Sequence, residues 1–114
     1  MSDLPFAHEK LLAAVAEIAI SNDTLQDRLF SAFTGPLAFL EPHRLPERIR
    51  KQYEEVLREI TQDDEETQGS LLASTRVMPQ ERAALIIQKL INIADEVALE
   101  LGIEDSQQQN KSPL

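Results

Sequence analysis

The sequence predicts an all-α fold: a small bundle of four main helices plus one short helix, with antiparallel neighbours and no sheet. Three observations carry that prediction. Apolar residues recur at three- and four-residue spacings in four separate segments. Prolines and polar stretches punctuate them. Aromatic residues make up 4% of the chain, with no Trp, which leaves a core of Leu, Ile, Val and Ala that suits helices better than a sandwich or barrel. At 114 residues the chain has the length of one domain. That domain is expected over residues 1–102, with a disordered tail over 103–114.

The first helix is expected over roughly residues 5–20, with Pro5 near its first turn. Leu4, Ala7, Leu11, Ala14, Val15 and Ile18 fall on one stripe, while Phe6, Ala13, Ala16 and Ile20 lie outside it. "SND" at 21–23 reads as a break followed by an N-cap at Asn22 or Asp23. A second helical segment, about 24–40, carries Leu25, Leu29, Phe33, Leu37 and Leu40. Gly35-Pro36 falls inside it, and a proline there removes a hydrogen bond and clashes with the preceding turn. A kink or a split is expected.

"EPHRLP" at 41–46 is a loop, after which Pro46 is placed to open a third helix to about residue 61. Its apolar stripe is narrow: Ile49, Tyr53, Val56, Leu57 and Ile60. Glu47–Lys51, Lys51–Glu55 and Glu54–Arg58 stand at i,i+4, where such pairs contribute a few tenths of a kcal/mol. This pattern describes a surface helix lying on the core. "QDDEETQGS" at 62–70 reads as an acidic loop and "SLLASTRVM" at 70–78 as the short helix. Pro79 then opens the last helix, with Glu81 in its first turn where a negative charge suits the dipole. Gly102 is the expected C-cap.

That last helix raises the main question. Thirteen of the nineteen residues from Ala83 to Leu101 are apolar. Ala83, Ile87, Leu90, Ala94, Val97 and Leu101 make a central stripe within about 40° of one line, widened by Ile86, Ile91, Ile93 and Ala98. Leu85 and Leu99 project from the remaining, polar half. Either the helix is the centre of a bundle covered by its own chain, or a second copy covers part of it. A homodimer would place Leu85, Leu99, Ile20 and Phe6 among its contacts.

Composition narrows the function classes. A net charge of −9 disfavours binding to nucleic acid or to an anionic membrane, both of which run on basic patches. No stretch approaches the roughly 18 uninterrupted apolar residues of a membrane span, and the N-terminus lacks the basic and apolar regions of a signal peptide. A cytoplasmic location is the expectation. With no Cys, there is no disulfide framework and no thiolate ligand or nucleophile.

Two His far apart in sequence do not make a zinc site. Glu-x-x-His pairs for a di-metal bundle are missing, the run Asp63 to Glu66 lacks the ligand spacing of an EF-hand loop, and there is no Gly-rich phosphate loop. No catalytic, cofactor or metal site is expected. His8, inside the apolar arc of the first helix, reads as a core-edge histidine, and His43 as an exposed loop residue without a fixed acidic neighbour. Arg44, Arg48, Arg50 and Lys51 form a basic patch at the start of the third helix, either an anion-docking site or half of a salt-bridge lattice.

These features describe a non-catalytic acidic helical protein that acts through protein–protein contact and associates with itself, with an unknown protein as a further partner. The alternative is an acidic regulator that neutralises a basic partner, antitoxin-like or a nucleic-acid mimic.

Overall fold

Prolines and caps cut this chain into its helices. A computed structural model describes residues 3–61 and 78–110, with the backbone alone over 104–110. α1 is Leu4–Ile20, opened by Pro5 in its first turn. α2 is Leu25–Thr34. Two single turns of 3₁₀-helix follow at Pro36–Phe39 and Pro42–Arg44. α3 is Glu47–Ile60 and α4 is Gln80–Asn110. There is no strand among the described residues, so the fold is an all-α bundle. The short helix expected at 70–78 lies outside the described residues except for Met78, which is buried.

The expected cap of α2 is corrected. Thr24, not Asn22 or Asp23, is the N-cap, and its hydroxyl accepts the backbone N–H of Asp27 at 3.1 Å. Asp23 is taken up by the bend before it. The Asp23 N–H donates to Ser21 Oγ at 3.0 Å and the Asp23 carbonyl accepts from Arg28 Nε at 2.8 Å. Thr24 is therefore the residue left in an extended conformation facing the helix.

Gly35-Pro36 splits the second segment outright. A side chain at Gly35 would bring its Cβ within 2.9 Å of the Ser31 carbonyl oxygen and 3.5 Å of Glu17 Oε2, so the chain passes too close to α2 for any residue but glycine. Past the break, Leu37 and Leu40 turn into the core and Phe39 is left 65% exposed.

α4 is the hub, packing against α1, α2 and α3. Its buried line is Ala83, Ile86, Leu90, Ile93, Ala94 and Val97, while Ile87 and Leu101 are half-buried. The centre of the core is thus rotated from the sequence stripe toward Ile86 and Ile93. Periodicity locates the widest apolar arc, but contact with three neighbours decides which part of that arc is innermost. Facing it are Leu4, Ala7, Leu11, Ala14 and Ile18 of α1 and Ile49, Tyr53, Val56 and Ile60 of α3, as their spacings predict.

Gly102 does not end α4. The helix runs on through it to Asn110, so residues 103–110 are helical rather than a patternless tail. Nothing lies within 4 Å of a Cβ built on Gly102, whose backbone is not left-handed. The residues after it include Gln107, Gln108 and Gln109, good helix formers, and the next proline comes only at position 113.

Candidate functional site

Two kinds of surface frame α4. Along its seam with α3, opposite charges interlock. Lys89 Nζ lies 2.7 Å from Glu59 Oε2 and 3.6 Å from Glu55 Oε1. Farther along, Arg48 reaches Glu96 and Glu100. The helix-internal pairs Glu47–Lys51, Lys51–Glu55 and Glu54–Arg58 are not formed, which corrects the expected lattice. Glu55 and Glu59 stand one turn apart on the face toward α4, and a single lysine there satisfies both.

Of the expected anion-docking patch, Arg44 and Arg48 are already paired. Arg44 lies over the Phe6 ring, its Cζ 5.0 Å from the centroid, with Asp3 at 3.4 Å and Glu41 at 3.9 Å. Arg48 is committed to α4. Arg50 and Lys51 make no ion pair among the described residues. Phe6, expected at a subunit contact, is half-buried and packs on the core, with Lys10 Nζ 5.4 Å from its centroid. His43 does have an acidic neighbour, Glu41, at 3.7 Å. His8 is half-buried, as a core-edge residue should be.

A surface cleft of about 200 Å³ opens between α3 and α4, lined by Gln52, Glu55, Lys89, Asn92 and Ile93. Its chemistry is that of an ion pair. The hydrogen bond to Glu59 raises the Lys89 pKa above its usual value, reinforced by the charges of Glu59 and Glu55. The amine stays protonated and is no nucleophile at neutral pH. Among the described residues, no group of three His, Asp or Glu could hold a metal ion; Asp63 to Glu66 lie outside them. No described helix is long and apolar enough to cross a membrane.

The second surface is the side of α4 turned away from the core. Leu85 is 63% exposed and Leu99 65%, with Ile103 beyond them at 47%. Gln88 donates to Asn92 Oδ1 at 3.1 Å on the same face. Ile20, at the end of α1, is 80% exposed. The sequence pointed to Leu85, Leu99 and Ile20 because they fall outside their helices' stripes. It missed Ile103, assigned to a tail, and Phe39, which reaches the surface only because the helix breaks at Gly35-Pro36. Comparison with protein-family models, curated proteins and solved structures finds no match for this chain.

Proposed function

We propose that this chain is a non-catalytic helical protein that works through protein–protein contact, and that one of its contacts is a second copy of itself. The observation that carries the reading is the outer line of α4. Scattered single apolar residues on a surface are ordinary, but Leu85 and Leu99 stand on one line of one helix, opposite that helix's buried face. Burying each would contribute about 1.5–3 kcal/mol, a gain realised only on association.

The alternative, an acidic regulator of a basic partner, has less support. A mimic of nucleic acid needs carboxylates in an uninterrupted row. Among the described residues, Glu55, Glu59, Glu96 and Glu100 are interleaved with Lys89 and Arg48.

Leu99→Glu tests the reading, because a carboxylate without a partner is costly in an apolar interface. The variant should keep the helical circular-dichroism spectrum and melting behaviour of a folded chain, while light scattering gives the mass of one chain instead of two. A folded variant that still has the mass of two chains would remove Leu99 from the contact.

A further inference from the structure

We draw no further inference here: the strongest candidate, the exposed apolar face of α1 formed by Leu12, Ala13, Ala16, Ala19 and Ile20, is an unpartnered helix face, and nothing in the structure shows what covers it.

Discussion

α3 and α4 lie side by side and dispose of their apolar residues differently. In α3 the buried residues Ile49, Tyr53, Val56 and Ile60 form one line, and Leu57 beside them is half-buried. Everything else on that helix is polar or charged. α4 buries a longer line against three neighbours and still leaves Leu85, Leu99 and Ile103 outside. Among the described residues, every apolar residue of α3 is buried or half-buried, whereas three large apolar residues of α4 stay exposed. The difference is a surplus written into one sequence and not the other.

The largest expected effect lies inside α3. Ile60 is 1% exposed, and Ile60→Ala should cost about 2–5 kcal/mol in urea unfolding, from lost transfer energy and the cavity left behind. A cost near zero would break the contrast, because α3 would then not be seated on the core.

Tyr53 sharpens it. Its ring is fully buried and its hydroxyl finds no hydrogen-bond partner among the described residues. Tyr53→Phe keeps the packing and removes an unsatisfied polar group, so it should be neutral or stabilise by about 1 kcal/mol. Burial also raises the phenol's pKa above its ordinary value. Above about pH 10 the unfolded chain loses this proton and the folded chain keeps it, so the stability present at lower pH falls as pH rises. In Tyr53→Phe that alkaline loss should shrink; an identical alkaline profile in both proteins would mean that the phenol is exposed.

On α4, Gly102→Ala should stabilise by about 0.5–1 kcal/mol, because an exposed glycine inside a helix is costly and a methyl there meets nothing. Destabilisation would mean that the helix ends at Gly102 after all. The smallest effect belongs to the charged seam of α3. Glu55→Ala should change stability by under about 0.5 kcal/mol, since its partner Lys89 keeps Glu59 and exposed pairs contribute little.

Much of this architecture was legible in the sequence, and the failures share a cause. The stripe of α1, the narrow line of α3 and the split at Gly35-Pro36 follow from spacing and from what proline does to a helix. Such local rules also suggested a cap at Asn22 or Asp23, but the Ser21 hydroxyl claims the Asp23 amide. Local spacing likewise paired Lys51 with its own helix's glutamates, whereas Glu55 turns to a lysine 34 positions later. Arg48 and Glu96 are partners that no local pattern connects. Leu85 and Leu99 were found because a residue outside its helix's stripe needs no knowledge of the neighbour to look misplaced.

The central claim is that α4 carries apolar surface meant for a second copy. Sedimentation equilibrium of the unmodified chain, from micromolar to hundreds of micromolar, tests it directly. The account predicts a mass that rises with concentration to twice the 12.8 kDa of one chain. A mass that stays at 12.8 kDa throughout would contradict it.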